Sequence, residues 1–149
     1  PMQDIEINIK DTMRPVRLPT HKIHKKKAHD EEATCAKYND GGSLLFTGGG
    51  DGLVRVWDPV SGLEKQTLRG ANQAILDLDV SPGTELIAAG CVDNKVIVWS
   101  FSTSRPRHTI TGHSNKVVSS RFMQTRPMII TGSQDRSMKI WDAGRGSCI

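Results

Sequence analysis

Two histidine–aspartate pairs recur at one interval in this chain of 149 residues: His29 with Asp51, and His113 with Asp135. Imidazole and carboxylate are the base and the orienting group of a nucleophilic triad, so each pair is first a catalytic candidate. No positioned nucleophile accompanies either pair, and Thr131 belongs with the pair that shares its segment as a structural partner. The run Gly48-Gly49-Gly50-Asp51-Gly52 could cradle a phosphate. It lacks the G-K-[ST] ending and a following helix, so it reads as a tight turn between strands. Three cysteines, Cys35, Cys91 and Cys148, show no C-x-x-C spacing and read as reduced, partly buried thiols, not as a disulfide framework or a zinc site. His21 and His24 have no converging ligands. The expectation is a chain with no catalytic, cofactor-binding or metal-binding residues, and not an enzyme.

The intervals make sense once the elements that carry them are drawn. Three segments align without gaps, from Ala28 to Asp58, from Gly70 to Ser100, and from Gly112 to Asp142. Trp57, Trp99 and Trp141 are spaced by 42 residues, and Asp51, Asp93 and Asp135 each stand six residues before one of them. Within the first unit, alternating or β-rich runs predict strands over Thr34 to Tyr38, Leu44 to Thr47, Leu53 to Trp57 and Leu63 to Leu68, separated by Asn/Asp/Gly turns. The second unit repeats this, with Ser81-Pro82-Gly83 as its first turn, and the third does so until its fourth strand begins near Ile149. No segment carries a convincing helical pattern.

A period of about 40–45 residues with G-H and W-D markers resembles the WD40 repeat. The resemblance implies an all-β fold: three consecutive four-stranded antiparallel blades of a seven-bladed propeller, incomplete in this chain. It also implies a hydrogen-bonded chain in each blade. That chain links a His of the G-H turn, a Ser/Thr of the second strand, the Asp of the next turn and the Trp of the third strand. The residues at those positions are His29, Thr47, Asp51 and Trp57 in the first unit, and His113, Thr131, Asp135 and Trp141 in the third. The second unit keeps Asp93 and Trp99 but has Ala71 and Ala89 at the His and Ser/Thr positions. Its blade is expected to rest mainly on apolar packing by Ile75, Leu76, Leu78, Val80, Leu86, Ile87, Val96 and Val98.

Residues 1–27 precede the repeats and form a basic leader. They hold seven Lys/Arg against three Asp/Glu, so the whole net charge of +4 lies there, while residues 28–149 hold thirteen of each. Neutral blades offer no electrostatic case for nucleic acid. The stretch from Arg17 to Lys27 matches a fourth strand by position, and the resemblance implies an edge strand that closes the ring. Its lysines suit an exposed edge. Three blades cannot close a ring, so further blades are expected, beyond Ile149 by preference or else from other chains. No apolar run is long enough for a transmembrane helix.

What remains for function is surface, since loops on a rigid scaffold carry recognition. The residue before each repeat Asp (Gly50, Val92, Gln134) and the one opening each inner strand (Glu32, Ala74, Lys116) are the candidate partner-binding positions. Glu32, Val92, Lys116 and Gln134 are the main choices. The stretch from Arg105 to Phe122, the segment IITGSQDRSMKIWD, and the second unit without its His are similar to the propeller of autophagy-related protein 16-like proteins. That resemblance implies a protein-binding scaffold in autophagosome assembly that recruits ubiquitin-like lipidation machinery. It implies a cytoplasmic location and contact with autophagosome precursor membranes only through a complex. A substrate receptor or scaffold of a ubiquitin ligase, or of another multiprotein complex, is the alternative. No coiled-coil heptads occur in the chain.

Overall fold

The computed structural model describes residues 26–83 and 85–149. Of the ring-closing strand expected from Arg17 to Lys27, residues 17–25, with His21 and His24, lie outside the described residues, and Lys26 and Lys27 belong to no strand. Twelve strands and no helix make up the described chain. The first blade comprises β1 (Ala33–Tyr38), β2 (Leu45–Gly49), β3 (Val54–Trp57) and β4 (Glu64–Leu68). The second comprises β5 (Ile75–Val80), β6 (Leu86–Cys91), β7 (Val96–Ser100) and β8 (Pro106–Ile110). The third comprises β9 (Val117–Phe122), β10 (Met128–Ser133), β11 (Met138–Asp142) and β12 (Ser147–Cys148). Each blade is one four-stranded antiparallel meander with its strands in chain order. The strand bounds shift by a residue or two from those read in the sequence, because ladder bonding and side-chain alternation end at different residues.

The aspartate of the W-D pair is a turn former. Asp58 Oδ1 accepts the amides of Val60 (2.8 Å) and Ser61 (3.1 Å), and Asp142 Oδ1 accepts those of Gly144 (2.8 Å) and Arg145 (2.9 Å). A short carboxylate on the residue leaving β3 or β11 thus folds the chain back towards the next strand.

The apolar cores lie between blades. One joins Phe46, Val54, Val56 and Leu68 to Ile75, Leu78, Ile87, Ala89, Ile97 and Trp99. The other joins Leu86, Ala88, Val96 and Val98 to Val117, Phe122, Ile129 and Trp141. Alternation along a strand sends odd and even residues to opposite faces. Ile87 and Ala89 of β6 therefore meet the first blade, while Leu86 and Ala88 meet the third. This is why β6 is buried at every position and why the second unit is apolar on both faces. Of the packing residues read in the sequence, Leu76 and Val80 are only half-buried; the other six are buried.

Close approach of the blades depends on a glycine in each of the first two repeats. A Cβ on Gly48 would lie 2.7 Å from Ile75 Cγ2, and one on Gly90 would lie 2.7 Å from Val117 Cγ1. At the same repeat position, a Cβ on Gly132 would meet only Ser119 Cβ, at 3.8 Å. Ile75 and Val117 each belong to the inner strand of the following blade, so Gly48 and Gly90 are there for packing and not for backbone freedom.

Candidate functional site

Two of the three blades carry the same hydrogen-bonded chain. Trp57 Nε1 donates to Thr47 Oγ1 at 2.9 Å, Thr47 Oγ1 lies 2.8 Å from His29 Nε2, and His29 Nδ1 lies 2.9 Å from Asp51 Oδ1. In the third blade, Trp141 Nε1 donates to Thr131 Oγ1 at 2.8 Å, with His113 Nε2 2.8 Å from that oxygen and His113 Nδ1 2.7 Å from Asp135 Oδ2. A carboxylate only accepts, so Nδ1 carries the proton towards it, and Nε2 takes the hydroxyl proton that threonine has left after accepting from the indole. Strand pairing aligns the parts: Thr131 pairs with Ser120 on one side and Lys139 on the other, and Ile129 sits opposite Trp141.

Each carboxylate also ties a loop to a turn. Asp51 accepts the amides of Asp30 and Leu53, each at 3.1 Å, and Asp135 accepts those of Ser114 (3.1 Å) and Ser137 (2.8 Å). The Ser137 hydroxyl donates to Asp135 Oδ1 at 2.6 Å. That bond, with those of His113 and the two amides, holds the Asp135 carboxyl well below the usual carboxylate range. Desolvation pushes the Asp51 carboxyl upward, but the Asp30 amide, His29 and the Leu53 amide outweigh it and leave it lowered.

Carboxylate, imidazole and hydroxyl stand here in the order of a nucleophilic triad, yet the arrangement has no reagent to act on. Thr131 is 1% exposed, and its oxygen is occupied by the indole N–H. Burial likewise disarms two of the three thiols: desolvation, aided by Asp93, pushes Cys91 up to about 12, and desolvation raises Cys35. Cys148 is exposed. Among the described residues, no cluster of three or more His, Cys, Asp or Glu could hold a metal ion. A cavity of about 190 Å³ lies beside Trp57, lined by Leu45, Thr47 and Pro59. Lys26 borders it, with Nζ 5.1 Å from the Trp57 ring centroid and 3.1 Å from the carbonyl of Gly62.

The second blade solves the problem of its tryptophan differently. With Ala89 in place of the hydroxyl, Trp99 Nε1 donates to the carbonyl of Arg69 at 2.8 Å. Asp93 keeps only Lys95, at 3.2 Å, and its Oδ1 has no hydrogen-bond partner. A backbone acceptor of this kind leaves no residue signature in the sequence.

Another set of contacts missed in the sequence lies on the inner strands. Asp77 Oδ2 accepts the amide of Ser120 at 3.0 Å, and Asp79 Oδ2 accepts that of Phe122 at 2.8 Å. Arg121 pairs with Asp77, and Lys37 lies 3.4 Å from Asp79. The carboxylates of β5 thereby cap the otherwise unpaired edge of β9. The alternation Leu76-Asp77-Leu78-Asp79 was the available signal.

The candidate surface positions form one frame repeated three times. The amide of Gly50 donates to the carbonyl of Glu32 (2.8 Å), Val92 to Ala74 (3.0 Å) and Gln134 to Lys116 (3.0 Å). Glu32, Lys116 and Gln134 are exposed, while Val92 is half-buried. Each pair sits at the end of its blade where the β2–β3 turn, or its equivalent, meets the loop that enters the inner strand. We call this the network end.

Stacked meanders braced from within, with varied side chains on one repeated loop frame, define a propeller-blade scaffold. The chain belongs to the WD40 repeat family, described as WD domain, G-beta repeat, which matches residues 20–58, 62–100 and 104–142. It is 41% identical over 131 residues to Protein tipD of Dictyostelium discoideum, covering 88% of this chain and 21% of that protein. It is 36% identical over 129 residues to Autophagy-related protein 16 of Arabidopsis thaliana, covering 82% of this chain and 25% of that protein. The chain thus spans a quarter or less of the length of these relatives. The crystal structure of the RRP9 WD40 repeats matches with a TM-score of 0.78 over 83% of this chain and 39% of that one, at 22% identity, which speaks to the fold alone. The chain is a WD40 protein-interaction scaffold, and propeller domains of this kind are generally non-catalytic. No helix among the described residues is long and apolar enough to cross a membrane.

Proposed function

We propose that these blades are the partner-binding part of an autophagy-related protein 16-like scaffold. In this reading they are not an enzyme. They recruit ubiquitin-like lipidation machinery during autophagosome assembly, from the cytoplasm, and reach precursor membranes only through a complex. The observation that carries the reading is the 36% identity to Arabidopsis Autophagy-related protein 16 across 82% of the chain. The geometry supports it, because the polar groups of the interior brace the fold and the variable chemistry lies on exposed loops.

The test is a rescue experiment in cells lacking the full-length protein. The intact protein should restore recruitment of the lipidation machinery to membranes, and a version without these blades should restore it poorly. Equal recruitment by both would overturn the reading. Co-purification with a ubiquitin-ligase core in place of the lipidation machinery would assign the scaffold to that other assembly.

A further inference from the structure

Residues at positions 30–32, 72–74 and 114–116 occupy one place in the repeat, the loop entering the inner strand. They are Asp30-Glu31-Glu32, Asn72-Gln73-Ala74 and Ser114-Asn115-Lys116. In each blade the third residue's carbonyl accepts the same turn amide, so the backbone frame is shared and only the side chains differ. The charge runs from acidic through neutral to basic.

Most of the charges at the two ends have no ionic partner among the described residues. Asp30 is neutralised by Lys27 at 3.2 Å and Arg55 at 3.8 Å, whereas Glu31 and Glu32 form no ion pair among the described residues. Their carboxylates converge over Gly50: a Cβ at that glycine would lie 2.6 Å from Glu32 Oε2 and 2.8 Å from Glu31 Oε2. On the third blade Lys116 and Arg136 are exposed and form no ion pair among the described residues. Arg136 has φ +70°, at the turn position where the first blade has Gly52 (φ +73°) and the second Asn94 (φ +68°). A long cation is thus displayed from a backbone conformation that glycine and asparagine adopt more readily. Between these ends, Asp93 and Lys95 neutralise each other, and Arg69 is exposed with no ion pair among the described residues. Of these side chains, those without an ion pair among the described residues are therefore Glu31 and Glu32 on the first blade, Arg69 on the second, and Lys116 and Arg136 on the third.

We propose that the network end of these blades docks an extended polypeptide segment of a partner protein in which basic and acidic residues are segregated. The basic end of the segment lies over Glu31 and Glu32, and the acidic end lies over Lys116 and Arg136. The exposed amides of Gln73, Asn115 and Gln134 supply hydrogen bonds along the way. A polyanion such as RNA, or an anionic membrane, fits poorly because the first blade repels it. The inference concerns the scaffold itself and holds whichever cellular pathway the scaffold serves.

The test uses the full-length protein and labelled synthetic peptides of one composition. One places two lysines and two glutamates at opposite ends of a Gly/Ser/Asn spacer of roughly 4–10 residues. The other interleaves them. Each exposed charge contact is worth roughly a factor of two to five in affinity. The segregated peptide should therefore bind at least about tenfold more tightly by fluorescence anisotropy, with the advantage shrinking in high salt. Reversing one end, by Glu31→Lys with Glu32→Lys or by Lys116→Glu with Arg136→Asp, should abolish the preference. Reversing both ends together should restore it, because the peptide can bind turned about. Aspartate is chosen at position 136 because it tolerates positive φ. Any charge-reversed protein that melts early is replaced by its Gln counterpart, or Asn at 136, which should lower the preference without inverting it. Equal binding of the two peptides, indifference to both single-end reversals, or stronger binding of a polyanion such as polyuridylate would overturn the proposal.

Discussion

Thr131→Val isolates the internal brace. Valine keeps the shape and β-branching of threonine, so β10 retains its packing and its pairing with β9 and β11. What disappears is the oxygen that lies 2.8 Å from both His113 Nε2 and Trp141 Nε1. The His113 side chain is fully buried and Trp141 is 2% exposed, so water cannot replace the lost partner. Leaving a buried polar group unsatisfied costs about 1–3 kcal/mol, and two are left here. The added methyl group recovers about 0.8 kcal/mol. The expected net loss is about 1–5 kcal/mol. It is to be read from the guanidinium unfolding midpoint of the full-length protein by far-UV circular dichroism, with the slope unchanged. Combined with His113→Leu, the substitution should cost less than the sum of the two, by about 1 kcal/mol, because both break one chain. A loss within about 0.5 kcal/mol of zero, or strict additivity, would refute the view that the chain acts as a brace.

Asp93→Ala should shift the unfolding midpoint less than Asp135→Ala, since Asp93 has an unpartnered oxygen while Asp135 accepts from His113, Ser114 and Ser137; equal shifts would sink this ordering. Acid should destabilise the blades. The Asp51 and Asp135 carboxyls are lowered in the folded state, so the stability they contribute is present above their unfolded value near about 3.9 and is lost as pH falls through the folded values. Urea midpoints should hold from about pH 7 to 5 and fall below about pH 4, less steeply in Asp135→Asn; identical pH slopes for the two proteins would contradict the assignment. Gly90→Ala should lose about 1–3 kcal/mol by overpacking, because its Cβ would meet the Val117 side chain at 2.7 Å; an unchanged thermal midpoint would mean that the blades are not so closely stacked.

The sequence by itself determined the repeat and therefore the blade. A 42-residue spacing of tryptophans, with period-2 apolar alternation and Asn/Asp/Gly turns, leaves little choice of local structure, since each depends on residues near in the chain. The positions of His29, Thr47, Asp51 and Trp57, and of His113, Thr131, Asp135 and Trp141, were legible too, but through the WD40 resemblance; spacing alone left them open to a catalytic reading. Packing between units was decided only in three dimensions. The indole of Trp99 turns to the carbonyl of Arg69, and every residue type offers a carbonyl, so no letter of the sequence marks it. Asp77 and Asp79 read as the polar face of a strand until β9 lies alongside and its amides need acceptors. Nothing in the sequence singles out Glu31. Its meaning emerges when its carboxylate meets that of Glu32 over Gly50, in the same frame that carries Lys116 two blades away. Local pattern specifies which hydrogen bonds a strand can make; only the neighbouring blade determines which of the remaining donors, acceptors and charges are left without a partner.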